Sequence, residues 1–262
     1  MSASPQDLMT AKLFFNAAFP TMQVLLDDDP KLHKKFQNFN ATVQFGAMND
    51  GELLCCHLIF QNGNLTVVQG PAEKSDISLT FSSVEKMNSL LKGGLSLPSI
   101  KGNLSLLPNV LSILMGLKIM TKPNDKLKND TEKLLKVKCS LYMITRALSQ
   151  YNKLGDPDMQ EFCRRQPDRI YQFQVEHDGQ PDYIACYLRV KAGQSKSGHG
   201  VYTRRSPFLL VHFFSLDGAL KVLGKECEFV EGVEKGYVET IGSPEYACYL
   251  NDYMAILQGM LT

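Results

Sequence analysis

Val43-Gln44-Phe45, followed by Asn49-Asp50-Gly51, has a counterpart far along the chain in Tyr171-Gln172-Phe173, followed by His177-Asp178-Gly179. The two strand segments and the two turns are separated by the same interval along the chain. In each half the pattern predicts a β-strand that ends in a tight hairpin turn. Further matches follow in unbroken order: Leu53–Leu58 with Tyr183–Leu188, Gly63 with Gly193, Ser83-Val84-Glu85 with Ser215-Leu216-Asp217, and Gly102-Asn103 with Gly242-Ser243. Loop insertions in a duplicated unit produce ordered matches of this kind, so the sequence predicts two copies of one fold.

The length of the chain agrees with two domains. Its 262 residues divide into two units of ordinary domain size. A composition of 44% hydrophobic and 21% charged residues is typical of folded domains. We place the boundary in Lys122-Pro123-Asn124-Asp125, which predicts a first domain at residues 1–124 and a second at residues 125–262.

Charge and hydropathy exclude several classes of protein. The net charge of +1 gives no global attraction to nucleic acid, so we expect no nucleic-acid partner. The longest apolar run, Leu104–Met120, is interrupted by Pro108, and residues 1–6 lack a signal-peptide pattern. We therefore expect no integral membrane segment and no secretion. Seven cysteines without a C-x-x-C pair indicate reduced thiols and predict a cytoplasmic protein.

Each unit is predicted to begin with an amphipathic helix, at residues 5–27 and 130–154, and Pro20 should kink or break the first. Asp29-Pro30 and Asp156-Pro157 then start a second helix in each unit. Five strands are predicted in each unit, at 42–45, 53–60, 65–69, 77–81 and 99–101, and at 170–175, 183–190, 201–204, 208–214 and 237–239. A helix precedes the fifth strand in each unit, and a final helix follows it.

The segment Ser75–Ser83, a helix ending in Leu91-Lys92-Gly93, the turn Ile100-Lys101-Gly102-Asn103 and an apolar helix to Lys118 together resemble the sterol carrier protein domain family over about Phe39–Met120. This resemblance implies an α+β fold for two tandem domains, each a five-stranded, mostly antiparallel sheet covered by helices on one face. It also implies an apolar cavity between the sheet and the last helix, which in the family holds sterols, fatty acids, acyl-CoAs or phospholipids. The second unit departs from the pattern, since Pro207 or Ser206 replaces Asp76 and the turn reads Thr240-Ile241-Gly242-Ser243.

The last helix of the first unit is apolar on nearly all sides and carries no charge before Lys118. A helix that is covered on one side needs only an apolar stripe, so something must cover the rest. A contact with the other unit or another chain would do so, and so would a hydrophobic ligand. The predicted lining of the first cavity is Phe45, Leu79, Phe81, Ile100, Leu107, Leu111, Leu114 and Met115.

The last helix of the second unit places Tyr246, Tyr249 and Tyr253 on one face. These tyrosines could line a more polar second pocket and orient the head of a ligand, or they could be core residues with hydroxyls at the rim. Both interpretations stay open from the sequence.

Catalytic patterns are weak. The five histidines show no metal-binding spacing, and neither a G-x-S-x-G turn nor a phosphate-binding loop is present, so we expect no metal and no cofactor. Our hypothesis is non-catalytic binding or carriage of a hydrophobic small molecule: a fatty acid, an acyl-CoA, a sterol-like molecule or a phospholipid. The alternatives are an enzyme that uses Tyr249 or Tyr253 with His212 or Glu239, and an assembly module with filled cavities that forms a homo-oligomer.

Overall fold

The computed structural model describes residues 2–262, which divide into two units, one up to Thr121 together with Met260–Thr262 and the other from Lys122 to Gly259. The predicted boundary after Asn124 falls close to this division and remains a prediction of where two separable domains meet. The helices of the first unit are α1 (Pro5–Leu13), α2 (Phe19–Asp28), α3 (Pro30–Phe36), α4 (Val84–Leu91) and α5 (Leu107–Gly116). Those that follow are α6 (Asp130–Lys153), α7 (Pro157–Arg164), α8 (Leu216–Leu223), α9 (Phe229–Glu234) and α10 (Pro244–Leu261).

Each unit contains one five-stranded sheet. The strands of the first are β1 (Asn40–Asn49), β2 (Glu52–Gln61), β3 (Asn64–Gln69), β4 (Ile77–Phe81) and β5 (Ser99–Gly102). Those of the second are β6 (Arg169–His177), β7 (Gln180–Lys191), β8 (Gln194–His199), β9 (Leu209–Phe213) and β10 (Val238–Gly242). The spatial orders, β3-β2-β1-β4-β5 and β8-β7-β6-β9-β10, are the same. Only β1 with β4 and β6 with β9 pair in parallel, so the predicted α+β fold with mostly antiparallel sheets is confirmed.

The degree of burial alternates along the strands, so each sheet has a core face and a second, less buried face. Val43, Phe45 and Ala47 of β1 are buried, whereas Thr42 before Val43 and Gln44 after it are half-buried. Successive side chains of a strand point to opposite faces, so the buried set meets the helices. In the first unit α2 packs on β3 and α4 on β1, and in the second α6 packs across β7 and β8.

Of the predicted kink or break at Pro20, the break is not found, since the N-terminal helix continues through this residue. A π-helical turn at Phe14–Ala18 joins α1 to α2, and the N–H of Phe19 donates to the carbonyl of Phe14. Proline inside a regular helix clashes with the carbonyl four residues earlier, here that of Asn16. Because Asn16 lies within the widened turn, the chain accommodates the ring and continues as helix.

Two glutamines hold equivalent loops on the second face of each sheet. The side-chain oxygen of Gln44 accepts a hydrogen bond from the N–H of Ala72 at 3.1 Å, and that of Gln172 accepts one from the N–H of Tyr202 at 3.0 Å. Residues 201–204 are therefore a loop, and the strand predicted there is wrong. The edge of β7 is already paired with Gln194–His199, so the alternating residues after Gly200 have no strand left to join.

The hydrogen bonds between strands show which residue of the second unit corresponds to Asp76 of the first. The N–H of Asp76 donates to the carbonyl of Thr42, and the N–H of Phe208 donates to that of Ile170, both at 2.8 Å. Phe208, and neither Pro207 nor Ser206, thus occupies the place of Asp76. The two units share the order of their strands and individual hydrogen bonds at equivalent positions. We propose that this similarity reflects an internal duplication.

Six cysteines are buried and Cys248 is exposed, and all seven are free thiols. Burial raises the pKa of Cys163 and of Cys186 to about 12, so these groups carry almost no thiolate near neutral pH. We expect one equivalent of thiol to react rapidly with an aromatic disulfide reagent in the native protein, and the other six to react after unfolding. Cys248→Ser should abolish the rapid phase; fast reaction of two or more equivalents in the native protein would contradict this arrangement.

No helix within residues 2–262 combines the length and the apolar composition that crossing a bilayer requires.

Candidate ligand-binding sites

The predicted lining residues on the first sheet lie together on its core face. Phe45 is paired with Leu79, and Leu79 with Ile100, across three neighbouring strands. The rings of Phe81 and Phe45 are 5.5 Å apart, and the ring of Phe19 from α2 lies edge-on to Phe45 at 5.2 Å. Phe45, Leu79 and Phe81 are fully buried, and Ile100 on the edge strand is half-buried. Part of this set therefore packs against α2 as hydrophobic core.

The predicted lining residues on the last helix of the first unit have another environment. Helix α5 packs on α2 and α3, and the Lys35 ammonium donates to the carbonyl of Pro108 at 2.9 Å. Val110 and Ile113 are the buried residues of this helix. Leu107 and Leu114 are half-buried, whereas Leu111 is 46% and Met115 56% exposed. Leu111 and Met115 thus lie at the outer edge of the helix.

The leucines around this helix are less buried than those of the helical core of the first unit. The segment 90–117 contains ten leucines, and all ten are half-buried or exposed. Leucine is among the residues most often buried, and in the helical core of this protein Leu13, Leu25 and Leu26 are at most 1% exposed. The ten leucines around β5 and α5 form a continuous stretch of sequence with unburied apolar surface, which we call the leucine segment.

The three predicted tyrosines of the second unit lie around one ring. The centroid of Phe162, on α7, is 6.1 Å from that of Tyr246, 6.3 Å from Tyr249 and 5.4 Å from Tyr253. Tyr246 and Tyr253 are half-buried, and Tyr249 is exposed with its hydroxyl 3.4 Å from a carboxylate oxygen of Glu245. The fully buried Tyr171 donates to Gln166 beneath this cluster. The cluster has an apolar body and a polar outer rim.

A guanidinium enters the same cluster. The central carbon of the Arg169 guanidinium lies 3.9 Å from the ring centroid of Phe208 and 4.5 Å from that of Tyr246. Its Nη1 is buried and meets no hydrogen-bond acceptor among residues 2–262. A cation held between two rings with an N–H group to donate is suited to a carboxylate or phosphate. Sequence reasoning missed Arg169 because nothing in its local pattern separates it from the other arginines nearby.

Other arginines of the second unit are already paired with carboxylates. Arg189 grips Asp168 through two hydrogen bonds of 2.8 and 2.6 Å, and Arg205 joins it at 3.0 Å. The hydrogen bond from Arg189 is the main reason that the pKa of Asp168 is lowered. Arg164 and Arg165 both donate to Glu161 and lower its pKa to about 2. These cations are therefore partly neutralised, unlike Arg169.

The residues of the enzymatic alternative do not come together. The Nδ1 of His212 lies 3.2 Å from Glu239, on the neighbouring strand. His212 alternates with Val211 and Phe213, which face the core, so it projects from the opposite face of the sheet. Tyr246, which contacts the core-facing Tyr171, is on the other side. Within residues 2–262, neither Tyr249 nor Tyr253, which contact Phe162 on that other side, is paired with His212, and no group of three potential metal ligands occurs.

Comparison with known proteins gives matches of structure only. No protein-family model matches the sequence, and no curated protein matches it. Palmitated SCP2L2 of Aedes aegypti matches with a TM-score of 0.31 and 18% identity, over 42% of this chain and 90% of that protein. Sterol carrier protein domain 2 of Helicoverpa armigera matches with a TM-score of 0.31 and 19% identity, over 45% and 94%. The inverting sec-alkylsulfatase Pisa1 of Pseudomonas sp. matches with 0.28 and 10%, over 64% and 29%.

The resemblance to sterol carrier protein domains that the sequence predicted is thus found again among solved structures. It concerns the fold alone, and the ligand of this chain has to be argued from its own residues.

Proposed function

We propose that this protein binds a hydrophobic small molecule, or the acyl chain of an amphiphile, without transforming it. The leucine segment carries this proposal. A folded chain that leaves so many leucines partly in water in one segment keeps apolar surface available for a ligand. An apolar wall with few polar groups is typical of lipid-binding sites.

The size of the effect is sufficient for measurable binding. Burying one exposed leucine side chain contributes about 1.5–3 kcal/mol. Completing the burial of four half-buried leucines would therefore contribute on the order of 3–6 kcal/mol before the cost of association, at half that value each. An acyl chain with further contacts to Ile100 and Met115 would add to this.

Within the predicted lining, we assign different positions to different residues. Leu107, Leu114 and Ile100 would contact the ligand directly, and Leu111 and Met115 would close over it from the outer edge. Phe45, Leu79 and Phe81 would support the site from inside the core, because they are already packed.

We propose a second, more polar site in the second unit, at Tyr246, Tyr249 and Tyr253. Arg169 supports this assignment, since its buried N–H group would pair with an acidic head while the rings cover the adjoining chain. The two units would then differ in the ligands that they prefer.

Leu111→Asp tests the first site. A carboxylate at the outer edge of α5 should lower the affinity for a fatty acid at least tenfold, because the bound ligand would have to desolvate the charge. Displacement of a fluorescent fatty acid measures this affinity. Since Leu111 is nearly half exposed, the variant should keep its circular dichroism spectrum. Val68→Asp, at a similarly exposed position on the edge strand β3, is the matched control and should bind normally.

The outcome that contradicts the proposal is equally direct. Native mass spectrometry of the purified protein without any bound lipid, together with no displacement at micromolar protein, would exclude lipid binding. Equal affinities of folded Leu111→Asp and wild type would remove α5 from the site.

A further inference from the structure

Two leucines between α4 and β5 are almost completely in water. Leu95 is fully exposed and Leu97 is 93% exposed, in the loop Gly93–Pro98. The base of this loop is ordered, since the N–H of Gly94 donates to the carbonyl of Ser89 at 2.8 Å and that of Gly93 to Leu90 at 3.0 Å. The helix end thus holds the loop in a position that points both leucines outward. Leaving a leucine in water forgoes the free energy of burying it, which favours a partner for these side chains.

Within the sequence around this loop, the charged residues have one sign. From Lys86 to Lys118 the chain carries four lysines and no aspartate or glutamate, although the whole chain has 27 acidic residues against 28 lysines and arginines. Lys92, Lys101 and Lys118 are exposed, and they flank the loop and α5. The segment therefore has a net positive charge, because it lacks acidic residues where its leucines are exposed.

The apolar surface continues onto the last helix of the first unit. Leu104, Leu111 and Met115 are exposed, and their spacing of seven and four residues places them on one side of the helical segment. This side is flanked by Lys101 before it and Lys118 after it.

The composition of the segment distinguishes a lipid surface from a protein partner. Residues 86–118 contain no tryptophan, tyrosine, phenylalanine or arginine. These aromatic residues and arginine are enriched at protein interfaces, where lysine is depleted. Leucines that penetrate between head groups, with lysines against anionic phosphates, are instead the arrangement of proteins that bind at the surface of a bilayer.

We propose that the segment from Lys86 to Lys118 docks this protein on the surface of an anionic bilayer, with Leu95 and Leu97 inserted between the lipid head groups. The lysines are attracted to the anionic lipid, and this attraction weakens with salt. Insertion of Leu95 and Leu97 can be tested separately from the proposed ligand site, because these two leucines are not among the residues assigned to the ligand, although Leu111 and Met115 belong to both surfaces.

The protein contains no tryptophan, so one introduced indole reports on one position. Leu97→Trp should show a blue shift and quenching by brominated acyl chains when vesicles of mixed phosphatidylcholine and phosphatidylglycerol are added. The shift should be much smaller with phosphatidylcholine alone and at high salt. Val230→Trp, at an exposed apolar position on α9 of the second unit, should show neither effect.

The double variant Leu95→Ser, Leu97→Ser should bind the anionic vesicles at least tenfold more weakly and should still displace fluorescent fatty acid like the wild type. Vesicle binding that the double variant retains would overturn the proposal. An indole emission that does not shift in Leu97→Trp would also overturn it. A third contrary result would be a wild-type dimer, seen by light scattering and lost in the double variant, together with no binding of the wild type to vesicles. Loss of fatty-acid binding in Leu111→Asp would not affect this result, so the two proposals fail separately.

Discussion

Gly102→Ala is expected to destabilise the first unit by about 2–5 kcal/mol. Gly102 ends β5 with a φ of +99°, a conformation that L side chains rarely adopt. A Cβ at this position would also overlap the carbonyl oxygen of Asp76, whose close approach is held by a 2.7 Å hydrogen bond from the N–H of Asn103. The strain and the overlap act together because β4 cannot move without leaving β1. Urea denaturation followed by circular dichroism measures the loss of free energy of unfolding.

Gly70→Ala separates the two causes. Gly70 has a similar φ of +90°, but an added Cβ would meet no atom within 4 Å. Its substitution should cost only the backbone strain, about 1 kcal/mol or somewhat more. Gly242→Ala should act on the second unit as Gly102→Ala acts on the first, because Gly242 has a φ of +122° and a Cβ there would overlap the carbonyl of Phe208. If Gly102→Ala costs no more than Gly70→Ala, the close approach of β4 and β5 is not as described.

Phe45→Ala is expected to lower the free energy of unfolding by about 3–5 kcal/mol, the usual cost of removing a buried phenylalanine. Phe45 lies on the central strand β1, and its ring contacts those of Phe19 on α2 and Phe81 on β4. Removing it would leave a cavity between the sheet and the helices, which the two remaining rings cannot fill. Chemical denaturation of the variant and the wild type provides the measurement.

Met48→Ala is the matched control for this prediction. Met48 lies on the same strand but is exposed, so its substitution should change the stability by less than about 1 kcal/mol. A Phe45→Ala variant that binds fluorescent fatty acid more tightly at unchanged stability would show that the ring obstructs an existing cavity and does not belong to the core.

Much of the local structure was readable from short patterns. Asn49-Asp50-Gly51 and His177-Asp178-Gly179 predicted hairpins, and the turns there use left-handed backbone at Asp50 and Asp178. Asp29 and Asp156, each before a proline, predicted helix starts, and both side chains accept hydrogen bonds from the first turn. Turns and caps depend on a few adjacent residues, which is why they could be predicted.

Other features depend on which strand or helix is already in place. Residues 201–204 have a strand-like pattern, but β8 had filled the edge of β7, so they became a loop held by Gln172. The π-helical turn at Phe14–Ala18 arises where the helix must both continue and accommodate Pro20. A short stretch of sequence does not show which strand edge is already paired or where a helix has to continue.

The sequence by itself predicted two α+β units with five strands each, and a last helix of the first unit that is too apolar to be covered on one side only. Hydrophobic periodicity and turn residues are sufficient for such conclusions because they act within a strand or a helical turn. Only the tertiary structure decided that Phe45 and Phe81 are packed by Phe19, that Leu111 and Met115 point outward, and that Arg169 lies between two rings. These features depend on which faces of helices and strands pack together when the elements are distant in sequence. The burial of a side chain is decided by that packing.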